Sequence, residues 1–164
     1  PAASRNGKKP ATRWNADMPP ALVTLWPHAV RLLVGGVFIY AGYVKIIDPA
    51  GFAKNIYQYQ LLPSDLLVNL SALFLPWLEV VCGAALILAP RLRRGASLWI
   101  LAMLAVFTTA VIISLARGLD ISCGCMSTDP NAAKIGWKKV AENVGLIVLT
   151  LIAFVKAGQH PSVK

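Results

Sequence analysis

The sequence predicts an all-α integral membrane protein, a four-helix bundle, and three observations carry that expectation. Charged residues make up 14% of the 164-residue chain and apolar residues 57%, whereas a soluble domain carries about 25% charge. The shortfall is concentrated: residues 95–116 hold no charge over 22 positions, and residues 66–89 hold only Glu79. A bilayer-spanning helix needs about 20 mostly apolar residues, and both runs reach that length. Strand spans are excluded, because the runs lack alternation and an open sheet edge cannot sit in lipid. The same composition excludes a soluble enzyme, a disordered chain and a disulfide-dense secreted domain.

Residues 1–27 read as a basic tail. They hold Arg5, Lys8, Lys9 and Arg13 against Asp17 alone, with the adjacent prolines Pro19 and Pro20, and bury too little apolar surface to offset ordering. Without an apolar h-region and a small-residue cleavage site, the tail does not read as a secretory signal. Its two readings are a solvated segment and one that docks on other subunits of a membrane complex or on anionic headgroups.

A transmembrane domain over residues 28–157 follows, with helices expected at about 28–47, 66–89, 95–116 and 137–157, and a short tail at 158–164. Arg31 and Lys45 stand near the ends of the first helix, where long side chains reach water. Trp26 and Trp137 fall at predicted ends, as interfacial aromatics do. The link between the second and third helices is short enough for a tight hairpin only. Gly35, Gly36 and Gly42 on the first helix, with Gly83 and Ala84 on the second, suit close helix contact.

Counting Lys and Arg in this arrangement puts ten on the side of both termini and the 90–94 hairpin, against six on the other. The richer side faces the cytoplasm, so both termini are expected there and the 48–65 and 117–136 loops outside. This bias accounts for the net charge of +9. No basic patch is interleaved with aromatics, so nucleic acid is not an expected partner; the lipid bilayer is.

The chemistry-bearing residues lie in the second outward loop, where Cys123, Gly124 and Cys125 follow Ile121 and Ser122. Two cysteines one residue apart close a very small ring, and Gly124 tolerates the backbone angles that closure demands. A strained, exposed bond is easily reduced and suits electron exchange, and the outer side of a bacterial membrane is where disulfides persist. The competing readings are an inert bridge, two unpaired thiols and half of a metal site. The metal reading is weak, because His28 and His160 fall on the opposite side. Cys82, about 24 Å along its helix from the outward end, reads as packing.

Glu79 lies three residues after Pro76, near the middle of the second helix. A carboxylate at that depth costs several kcal/mol unless paired, neutralised or facing water. Pro76 leaves the Ala72 carbonyl without its helical donor, so a kink and a polar pocket are expected. Tyr40 and Tyr43, one turn apart, are the expected donors to Glu79, and Lys45 the expected ion-pair partner. Glu79 then reads either as neutral interhelical glue or as part of a redox or quinone site; no other cofactor is indicated. Glu142 and Asn143 read as helix-end polar residues.

Gly42-Tyr43-Val44-Lys45 with Asp48-Pro49, then Phe52, Tyr59-Gln60-Leu61-Leu62-Pro63, Leu75-Pro76-Trp77-Leu78-Glu79, Gly83 and the Gly118 to Cys125 segment resemble the DoxX-like superfamily, and within it the MauE branch. The resemblance covers residues 28–157. It implies a four-helix bacterial inner-membrane protein linked to thiol–disulfide chemistry, helping to mature a disulfide-rich periplasmic dehydrogenase beside a thioredoxin-like partner. Family members often continue Cys-Gly-Cys with Phe-Gly, where Met126-Ser127 stands here. The expected function is a membrane thiol–disulfide redox protein exchanging electrons through Cys123 and Cys125. The rival reading is a non-enzymatic accessory or assembly subunit of a larger membrane complex.

Overall fold

The computed structural model describes residues 20–121, 123 and 135–157. It is all-helical among them, with α1 at Pro20–Ile47, α2 at Pro49–Gln58, α3 at Asp65–Leu88, α4 at Arg93–Ala116 and α5 at Trp137–Ala157. Among the described residues three stretches are long and apolar enough to cross a membrane: Leu25–Ile47, Asp65–Leu88 and Arg93–Ala116. The outer faces are studded with exposed apolar side chains such as Phe74, Leu88 and Val106. In water this surface would aggregate; in a bilayer it is the lipid contact. The chain is an integral membrane protein.

Helix α1 packs along α3, while α5 packs on α4 and α1. The α1–α3 seam is built from glycines. A Cβ on Gly35 would stand 2.8 Å from the Gly83 carbonyl oxygen, and one on Gly42 would stand 2.6 Å from that of Pro76. Only glycine allows backbones this close. The pairings also show that the helices run antiparallel, since advancing from Gly35 to Gly42 retreats from Gly83 to Pro76. Val34, Phe38, Cys82, Leu86, Ile100 and Leu104 form the central core, with Cys82 a buried free thiol. A second cluster at the α1 C-terminal end joins Tyr59, Val111, Cys123 and Ile135.

Several expectations are corrected. Helix α1 begins at Pro20 and runs through Pro27, so residues 20–27 are helical rather than tail; residues 1–19 and 158–164 lie outside the described set. The 48–65 connection is not a plain loop. It contains α2, which Asp48 caps by accepting a 2.9 Å hydrogen bond from the Gly51 N–H, with Pro49 opening the helix where a missing donor costs nothing. Gly36, expected at a helix contact, faces open space.

Candidate functional site

Gly42 stands one turn before Lys45, and Pro76 one turn before Glu79. Because the helices are antiparallel these two steps run in opposite directions: Glu79 stands level with Gly42, a Cβ on which would lie 3.2 Å from the Glu79 Cβ, and the long Lys45 side chain leans back toward the start of α1 to reach it. Lys45 Nζ donates to Glu79 Oε1 at 2.7 Å and Oε2 at 2.8 Å. Both residues are buried, and the ammonium also lies 5.0 Å from the centroid of the Phe52 ring, a cation–π distance. Desolvating two charges is costly, and this geometry supplies the compensation that makes it tolerable.

Tyr40 and Tyr43 do not join this pair. They are 55% and 58% exposed and make no hydrogen bond to Glu79, which corrects the expected four-residue pocket. The physical reason is helical phase. Phe38, Ala41 and Lys45 form the inward stripe of α1 at spacings of three and four, and residues 40 and 43 fall outside it.

Helix α2 supplies the inward polar groups instead. Phe52, Asn55 and Tyr59 recur at spacings of three and four, and all are buried. The Tyr59 hydroxyl donates to the Cys123 carbonyl oxygen at 2.9 Å, and its ring meets Phe107 edge-on at 6.3 Å between centroids. Burial pushes the Tyr59 phenol up to about 12, so it stays a neutral donor at every ordinary pH. The sequence carried the signals for this helix, an Asp-Pro cap followed by that spacing, but Lys54, Asn55 and Gln58 mask them in a hydropathy reading.

At the end of α4 the chain reverses around Gly118, whose φ is +70°. The Gly118 N–H donates to the Leu115 carbonyl and the Leu119 N–H to that of Ser114, both at 3.0 Å, the paired bonds of a helix C-cap that favours glycine. The Ile135 N–H then donates to the Ile121 carbonyl at 2.9 Å, closing the loop at its base. This turn directs Cys123 inward. Cys123 is disulfide-bonded and only 4% exposed, whereas an exposed sulfur was expected; Cys125 lies outside the described residues.

Between the pair and the disulfide lies a cavity of about 520 Å³. Its polar lining includes Lys45, Glu79, Tyr59, Cys123 and Asn143, and its walls include Met103, Phe107 and Leu146. Asn143 Nδ2 is buried and has no hydrogen-bond acceptor, a donor available to an occupant. Glu142, beside it, is ion-paired at 2.7 Å with Lys139. Among the described residues no group of His, Cys, Asp and Glu could hold a metal ion.

These features define a helical membrane protein in which a loop disulfide is seated over an internal cavity and a buried ion pair lines the same cavity. The chain belongs to the family of methylamine utilisation protein MauE, which it matches over residues 21–156. It is 32% identical over 121 residues to the methylamine utilization protein MauE of Methylophilus methylotrophus, an alignment covering 73% of this chain and 63% of that protein. The chain thus spans less than two thirds of that relative's length. No solved structure matches it.

Proposed function

We propose that the protein is a membrane thiol–disulfide redox component of methylamine utilisation, acting through a Cys123–Cys125 disulfide on the periplasmic side of the inner membrane. In this reading α5 is a fourth span, both termini are cytoplasmic, and the DoxX-like superfamily is the wider grouping. The observation that carries the proposal is the disulfide at Cys123, seated at the cavity that Lys45 and Glu79 also line.

The burial of Cys123 shields it from a partner, and in this reading Cys125 is the cysteine that a partner reaches. A partner thiolate attacks Cys125, the Cys123–Cys125 bond breaks, and Cys123 departs as a thiolate that takes up a proton. The partner's second thiolate then displaces Cys125. The partner dithiol is oxidised to a disulfide, and this chain gains two electrons and two protons. Its partner is a periplasmic thioredoxin-like protein or a disulfide-rich client. A lipid-soluble quinone is the class of acceptor that restores the disulfide, taking the same two electrons and two protons to become a hydroquinone. The cavity suits its ring, with apolar walls and with Lys45 and Asn143 as donors to its carbonyl oxygens.

Single-cysteine variants in intact cells test this. Cys123→Ser should accumulate a mixed disulfide through Cys125, Cys125→Ser should give little or none, and the double variant should give none while still folding. Equal trapping by both single variants would overturn the assignment of roles. No adduct in either, with both thiols free under oxidising conditions, would overturn the redox function.

A further inference from the structure

Arg31, at the end of the bundle remote from the disulfide, has no place in that chemistry. It is only 4% exposed, and its Nε is buried without a hydrogen-bond partner. Its depth follows from the glycine seam. Gly35 packs against Gly83 and Ile87, so Arg31, one turn earlier on an antiparallel pair, lies level with the α3–α4 hairpin. Arg93 opens α4 there. Its Nη2 donates to the Ile87 carbonyl at 3.4 Å, its own Nε is likewise buried and unpartnered, and its charge acts repulsively on Arg31. Exposed Arg91 and Arg94 add two more positive charges to the same hairpin.

No carboxylate among the described residues answers this charge. Asp48, Asp65, Asp120 and Glu142 sit at or near the opposite ends of their helices. Glu79 is committed to Lys45, which lies 14 residues from Arg31, about 21 Å along α1. A buried guanidinium without an anion is among the most costly arrangements a protein can hold. Arg31 is such a group, and the half-buried Arg93 beside it adds repulsion rather than relief, so the site calls for an anion.

We propose that Arg31 and Arg93 form a binding site for the phosphodiester of an anionic phospholipid. The anion is a phosphate because two planar guanidiniums offer several parallel donors, the pattern that matches phosphate oxygens. The source is a lipid because the site lies at the boundary of the apolar spans. Leu88 and Leu92, which flank the hairpin, are 77% and 61% exposed and offer acyl chains a surface directly beside the headgroup. Basic pockets between membrane helices bind anionic headgroups in this way.

The test uses the full chain, purified in detergent and transferred to nanodiscs of phosphatidylcholine with or without phosphatidylglycerol. Two readouts apply: lipid retained in native mass spectrometry, and the temperature at which buried Cys82 becomes open to alkylation. Phosphatidylglycerol should be retained selectively and should raise that temperature, and inorganic phosphate in phosphatidylcholine discs should not. Arg31→Lys, which keeps the charge but not the fork, and Arg93→Gln should each abolish the selectivity, while Arg91→Gln should keep it. Should Arg31→Lys fail to fold, Arg93→Gln alone decides. Equal retention of both lipids by the native protein, a shift reproduced by inorganic phosphate, or selectivity surviving Arg93→Gln would each overturn the proposal.

Discussion

Lys45 Nζ lies within 2.8 Å of both carboxylate oxygens of Glu79, across 34 residues of sequence, with both side chains buried. The contact ties α1 to α3 between the core and the cavity. Each charge removes the cost of burying the other, so the pair acts as a unit.

That coupling predicts non-additive substitutions. Glu79→Leu or Lys45→Met alone strands a buried charge and should destabilise by about 3–5 kcal/mol, whereas the double variant should recover most of that loss. Cys82, 5% exposed, supplies the measurement as the temperature at which it becomes open to alkylation. Glu79→Gln should fall between, since the amide still accepts from Lys45 but carries no charge. Strictly additive losses would show that the two residues act separately.

A second prediction concerns how Cys123 is held. Tyr59→Phe removes the donor to the Cys123 carbonyl and should cost about 1 kcal/mol, loosening the loop without altering helix content. The disulfide should then be reduced faster by a mild thiol. The sign of the pH effect follows from the Tyr59 phenol, raised from about 10 to about 12 by burial. A raised acid keeps its neutral form in the fold, so its contribution is complete below pH 10 and is lost as pH climbs toward 12. Between pH 6 and 9 the thiolate fraction of the reductant changes both rates alike, so any change in the ratio of native to Tyr59→Phe reduction rates would contradict this.

The long helices were legible because charges bound their apolar runs. Expected limits at 66–89 and 95–116 compare with Asp65–Leu88 and Arg93–Ala116, and the cap at Ser64 and the arginines of the hairpin account for the small shifts. Lys45 beside Glu79 was legible for an electrostatic reason, as a buried carboxylate requires a cation. The orientation of Tyr40 and Tyr43 was not. One-turn spacing shows that two residues share a face but leaves open which face, and here lipid received it. Nor was the burial of Cys123 legible, because it depends on the Gly118 turn and on Tyr59, which arrives from a helix 64 positions earlier in the chain.

The glycine seam supports a third prediction. Gly42→Ala would set a Cβ 2.6 Å from the Pro76 carbonyl oxygen, and Gly83→Ala one 2.7 Å from that of Gly35. Backbone atoms cannot swing aside, so α1 and α3 must separate, at about 1–3 kcal/mol. Gly36→Ala, which meets nothing within 4 Å, should be neutral or slightly stabilising through helix propensity. The Cys82 alkylation temperature again measures all three. A Gly42→Ala protein as stable as Gly36→Ala would show that the helices do not approach this closely.

The final prediction concerns orientation. Ten Lys and Arg residues against six place the hairpin and both termini in the cytoplasm if α5 crosses the membrane. Cysteines introduced at Lys54, on the exposed face of α2, and at Trp137, 74% exposed at the start of α5, should react with a membrane-impermeant maleimide added outside intact spheroplasts. Those at Arg94 and Lys164 should react only after permeabilisation. Buried Cys82 and disulfide-bonded Cys123 keep the background low. Labelling at Arg94 with protection at Lys54 would invert the protein and place its disulfide in the reducing cytoplasm, where such bonds do not persist. Labelling at Lys54, Trp137 and Lys164 alike, with Arg94 protected, would leave the orientation intact but show that α5 does not cross. The Lys164 site therefore separates a fourth span from a helix lying along the surface, and the Arg94 site decides which compartment the disulfide faces.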